Sequence, residues 1–170
     1  PAGKTIIAPP VWRFSLSIWP MESNRGRQKT ACLEASRTRA NMPENLYDDR
    51  YLAGIRYFNE CEFFEAHEVW EDLWQDFQGP SRGFYQGLIQ VAVCLHHFGN
   101  GNIRGAKKLY ESSRYKYLEP YRPQHLGLNL DQFLEQLANC CAEILASEDE
   151  YPQVELDPEK LPEIHLDTTP

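Results

Sequence analysis

His67, Glu68, Glu71 and His97 are the side chains whose types and spacing could do chemistry. His67 and Glu71 stand four residues apart, so on a helix they share a face and could grip one metal ion, as the paired ligands of an HExxH helix do. Glu65, Glu68 or His97 would complete such a site, and a carboxylate would act as general base toward a metal-bound water. That arrangement would make the chain a metal-dependent hydrolase. The spacing is common on any charged helix, however. The second histidine of HExxH is absent, and so are GxSxG, a P-loop, GxGxxG and the paired ExxH pattern of di-iron bundles.

The elements that must position these groups are two adjacent helices. Residues 58–74 combine aromatics and ionisable groups more densely than any other stretch. At helical spacing Phe63, His67, Trp70 and Trp74 form one apolar stripe, with Glu68 and Glu71 along its border. Arg82, Gln86, Gln90 and His97 form a polar line through the otherwise apolar segment 80–105. A buried polar group left unpaired costs roughly 1–3 kcal/mol. The line is therefore expected to pair with the acid–histidine border. The leading reading is structural: Glu68, Glu71, Arg82, Gln86 and Gln90 close a network that fixes how the two helices pack, with no metal and no cofactor. Its expected signature is a loss of several kcal/mol in Arg82→Ala, from the buried charge left alone.

Phe58-Asn59, Glu62-Phe63-Phe64-Glu65-Ala66-His67-Glu68, Trp70-Glu71 and Trp74 are followed in order by Arg82, Gln86-Gly87-Leu88-Ile89-Gln90, His97, Gly101-Asn102 and Gly105-Ala106. This run resembles the signature of the domain-of-unknown-function 309 family, over about residues 45–120, under half of the chain. The resemblance implies a small all-helical fold. It implies no defined activity beyond the suggestion of a metal-dependent hydrolase. The family pattern has glycine where this chain has Cys61, so the turn between the first two helices must avoid or tolerate positive φ without glycine.

No apolar run is long enough to span a membrane. The five cysteines, Cys32, Cys61, Cys94, Cys140 and Cys141, are odd in number and contain no CxxC pair. They read as small core residues in a reducing compartment, without a zinc site. The net charge of −8 is unevenly distributed. Residues 1–40 carry Lys4, Arg13, Arg25, Arg27, Lys29, Arg37 and Arg39 against Glu22 and Glu34, so the rest of the chain is strongly acidic. An acidic body repels phosphate, which argues against nucleic acid as partner.

Three segments are expected: a basic, aromatic extended arm over 1–42, a helical domain over 43–147, and an acidic, proline-containing tail over 148–170. The helices are expected from near Pro43 to Asn59, over about 61–77, 80–98 and 102–118, and over about 130–147. Asn100 or Asn102 is the candidate cap of the fourth helix and Asn129 that of the fifth, and Pro120 and Pro123 are a stop. The fold class is all-α, a compact domain of about five helices with extended, irregular arms. In the arm, Trp12, Phe14 and Trp19 beside Arg13, Arg25 and Arg27 have the composition of interface anchors. The chain begins at Pro1 rather than Met, and residues 21–42 are acid-poor and contain Arg and Ser, in the manner of a transit peptide. The resulting expectation is a non-catalytic accessory subunit. Its arms would dock on other protein subunits, as in a stromal-side peripheral subunit of a plastid photosystem. Cytoplasm is the alternative location.

Overall fold

The computed structural model describes residues 47–147 and 154–167. Helix α1 spans Asp49–Asn59. It starts later than the expected Pro43 because Asp48, in extended conformation, accepts a hydrogen bond from Arg50 N and caps the first turn. Arg50 then bridges elements: its guanidinium lies 3.2 Å from Asp48 Oδ1 and 2.7 Å from Asp76 Oδ2. Helix α2 spans Phe63–Asp76, and α3 spans Arg82–Gly99.

α1 and α2 are joined by a tight reversal in which Cys61 N donates to Phe58 O and Glu62 N to Tyr57 O. Cys61 sits at φ +58°, in the left-handed region where the family pattern has glycine. The chain therefore keeps the turn and accepts the strain. A side chain in this region costs roughly 1–2 kcal/mol against glycine. Cys61→Gly is expected to be more stable than Cys61→Ala by about 1 kcal/mol in denaturant melts; both variants lack the sulfur, so only the backbone differs. Equal midpoints would show that the turn relaxes out of positive φ. Cys61 is disulfide-bonded. Cys94, Cys140 and Cys141 are free and buried, as small core residues should be.

α3 is the central element and packs on α2, on α4 (Ile103–Glu111) and on the segment that follows α4. Phe84, Leu88, Val91, Ala92 and Leu95 are fully buried along it. Asn102 caps α4 by accepting from Gly105 N. From Ser112 to Leu118 the helix continues as a π-helix. Its wider turn brings Leu118 into the core and leaves Tyr117 half-buried. After a short 3-10 turn over Glu119–Tyr121 the chain forms a small hairpin, β1 (Gln124–His125) and β2 (Leu128–Asn129). Leu126 and Gly127 hold φ of +46° and +76° at its tip, the pattern of a two-residue primed turn. Tyr51 OH donates to Leu126 O and anchors that tip to α1.

Asn129 caps α5 (Leu130–Cys140) by accepting from Gln132 N, as expected. The expected single helix to 147 is broken at Cys141, where φ is −89° and ψ 0°, and resumes as α6 (Ala142–Ala146). The break turns Leu145 outward to 36% exposure instead of into the core. At the C-terminus, residues 154–167, irregular apart from a 3-10 turn over Pro158–Lys160, lie along the chain's own body, with Ile164 only 2% exposed and Val154, Leu156, Leu161 and Leu166 packed against the core.

Candidate functional site

α2 and α3 position the sequence-proposed groups. The structure brings His67 and Glu71 together: His67 Nε2 is 3.5 Å from Glu71 Oε2, one turn along α2. The other ring nitrogen, Nδ1, is 2.8 Å from Phe64 O on the same helix. His67 is thus held by its own helix on one side and by one carboxylate on the other. Glu68 points to solvent. His97, near the end of α3, has Nδ1 3.3 Å from Asn102 Nδ2, and burial pushes its pKa down. Among the described residues, no three His, Cys, Asp or Glu side chains group closely enough to hold a metal ion. His67 and Glu71 therefore stand as a pair, and Glu68 and His97 do not complete the set. Cys140 is a poor nucleophile: hydrogen bonding with the Cys141 thiol, followed by burial, holds its thiol far above the usual range.

The expected carboxylate–arginine network is replaced by a different device. Arg82 does not reach Glu68 or Glu71. Its Nη1 donates to Trp74 O and, at 2.6 Å, to Phe77 O, the carbonyls left over where α2 ends. The guanidinium also lies over the Trp74 ring, 3.9 Å from its centroid. The reason is local: Gly79-Pro80 reverses the chain so tightly that the first residue of α3 faces the last turn of α2, where the helix dipole favours a cation. Gln90 Oε1 is buried with no hydrogen-bond partner among the described residues, so the expected polar line does not close at that point.

A second constellation, absent from the sequence reading, lies at the other end of α3. His125 Nε2 and Ser81 Oγ are hydrogen-bonded at 2.8 Å. The His125 ring packs 4.9 Å from Phe84 and 4.7 Å from Tyr121, centroid to centroid. Tyr121 OH donates to Pro80 O, closing the cluster. A serine beside a histidine is the beginning of a nucleophile–base pair. Here Ser81 is 7% exposed and stands under Tyr121, and the pair serves to fasten the hairpin to the start of α3. Forty-four residues separate the partners in sequence. The only local signal was a serine at a helix start whose side chain makes no cap hydrogen bond.

Burial lowers the pKa of His125, as it does that of His97. The unfolded chain takes up the proton first as pH falls, so the stability contributed by the neutral rings is complete above about pH 6.5 and is lost as pH drops below it. The thermal midpoint is expected to fall between about pH 6.5 and 5, and His125→Gln is expected to flatten that fall. A profile identical in the wild type and His125→Gln would show that His125 titrates normally in the fold.

Trp12, Arg13, Phe14, Trp19, Arg25 and Arg27, the expected partner-binding residues, lie outside the described residues. Within them, Tyr115 is the most exposed large apolar side chain, at 63%, on the π-helical segment. Arg114 lies 5.5 Å from the Tyr115 ring, and Lys116 5.0 Å from that of Tyr117. No helix among the described residues is long and apolar enough to cross a membrane.

The family described as "Domain of unknown function (DUF309)" matches residues 51–109, which include most of α1, all of α2 and α3, and most of α4. The chain is 33% identical over 102 residues to the uncharacterized protein YpuF of Bacillus subtilis (strain 168), an alignment covering 58% of this chain and 59% of that protein. It is 39% identical over 46 residues to an uncharacterized protein of Aquifex aeolicus (strain VF5), covering 26% of this chain and 14% of that protein. The chain thus spans less than two thirds of either relative. No solved structure gives a significant match.

Proposed function

With residues 51–109 a member of the DUF309 family, we propose that this chain is a non-catalytic interaction subunit of a larger protein assembly, its helical body serving as a rigid platform. The observation that carries the reading is the surface of the π-helical segment. Tyr115 stands 63% exposed between Arg114 and Lys116 on a chain whose net charge is −8. An exposed aromatic flanked by cations has the composition of an interface anchor and suits an acidic partner surface. The polar groups that catalysis would need are used to hold helices instead: Arg82 on the end of α2, His67 on its own turn, and Ser81 with His125 on the hairpin. The setting we propose, the stromal side of a plastid photosynthetic complex, rests on the composition of residues 1–42 alone.

Native gel electrophoresis of gently solubilised membranes tests the reading. The wild-type chain should migrate with one defined large complex. Tyr115→Ala, and Trp12→Ala with Trp19→Ala, should each release it to the free fraction. A chain that migrates alone in every form, and that carries one equivalent of metal lost in His67→Ala, would transfer the case to the hydrolase reading.

A further inference from the structure

The C-terminal strap is held to the body largely through its main chain at Glu163, Ile164 and Asp167, with exposed side-chain bonds from Gln124 Nε2 to Asp167 Oδ2 at 3.4 Å and from Lys160 Nζ to Glu143 Oε1 at 3.3 Å. Asn59, the last residue of α1, donates from Nδ2 to Ile164 O and accepts at Oδ1 from Ile164 N, both at 2.9 Å. Glu163 N donates to Gln136 Oε1 on α5 at 3.3 Å, and Asp167 N to Gly127 O at the hairpin tip at 2.7 Å. Leu166 forms an antiparallel bridge with Leu128. Side-chain amides and a turn carbonyl that read main-chain atoms accept an extended segment whatever its outward-facing side chains are. The inward-facing residues then supply selectivity. Pro162 and Ile164 are buried and Leu166 is half-buried, while Glu163 and His165 face outward and pair with each other at 2.9 Å.

We propose that the surface formed by Asn59, Gln136 and the Gly127 turn is a binding site for an extended peptide. The strap is its built-in occupant. The competing ligand is an extended segment of a partner protein with the strap's own pattern: proline, then isoleucine or a similar residue two positions on, then leucine two further, with acids tolerated between. This gives Asn59, part of the Phe58-Asn59 motif, a role in recognition. The proposal deepens the interaction reading, but on a surface separate from Tyr115, so each fails independently of the other. Displacement opens only this one segment at the end of the described chain, and such segments open at a fraction of the global free energy.

The test uses the full chain and a fluorescein-labelled synthetic peptide of residues 154–167, followed by anisotropy. Ile164→Arg loosens the strap in cis. This variant should bind the peptide about tenfold or more tightly than the wild type, whose site is filled. Adding Asn59→Ala should weaken binding by about tenfold or more through the two lost hydrogen bonds. A scrambled peptide should not bind. A folded Ile164→Arg chain that ignores the peptide, or binding that Asn59→Ala leaves unchanged, overturns the proposal. If Ile164→Arg unfolds by itself, the peptide should restore its helical circular dichroism; failure to do so also overturns it. A concentration-dependent wild-type dimer dispersed by the peptide would seat a second copy's strap in the site and overturn the choice of a foreign partner.

Discussion

Trp70→Ala is expected to destabilise the fold by about 3–5 kcal/mol, the usual cost of deleting a buried indole, against a total stability of roughly 5–15 kcal/mol for such a domain. Trp70 is fully buried, its ring 5.9 Å from Phe58, and its Nε1 donates to Tyr51 O at 3.2 Å. The indole fits only because α1 has a glycine opposite it. A Cβ at Gly54 would fall inside the contact distance of Nε1 and of its neighbouring ring carbons. This reciprocity makes the prediction specific. In the wild type, Gly54→Ala should itself cost about 1–3 kcal/mol by overpacking. In the Trp70→Ala background the same change should stabilise, by up to about 1 kcal/mol, because alanine is the better helix former and nothing remains to clash. Urea melts of the four proteins measure the cycle. If Gly54→Ala has the same sign in both backgrounds, the two helices do not meet at this pair.

Arg82→Ala is expected to cost about 2–3 kcal/mol, from charge-assisted bonds to two carbonyls and the stacking on Trp74. Two comparisons identify the cause. Arg82→Lys keeps the charge and a nitrogen that can donate to a carbonyl, but loses the planar guanidinium that stacks on Trp74, and should recover only part of the loss. Glu68→Gln and Glu71→Gln should each stay within about 0.5 kcal/mol of the wild type, because neither carboxylate is the partner of Arg82. A carboxylate variant as damaging as Arg82→Ala in denaturant melts would restore the interhelical ion pair that the residue spacing had suggested.

The helices and their caps were legible in the sequence. Asn102 and Asn129 cap where their type and position indicated, because an N-cap is decided by a few adjacent residues. The apolar stripe of α2 was equally readable, and Phe63 and Trp70 are core residues. Breaks within helices were not. A 3.6-residue hydrophobic period contains no record of the π-helical segment or of the break at Cys141. The hairpin escaped because its turn is Leu-Gly rather than Asn-Gly, with a leucine in the left-handed region.

The candidate site divides along the same line. The sequence by itself determined the all-helical class, the DUF309 signature and the pairing of His67 with Glu71 one helical turn apart. Each depends on neighbours within a few residues, or on composition. Only the tertiary structure decided that Arg82 serves the end of α2 rather than a carboxylate, that Ser81 meets His125, and that Asn59 holds a strap 105 residues further along the chain. A charged or amide side chain has several possible partners of nearly equal strength. Which one it takes depends on which backbone groups the fold leaves unsatisfied at the place where that side chain arrives.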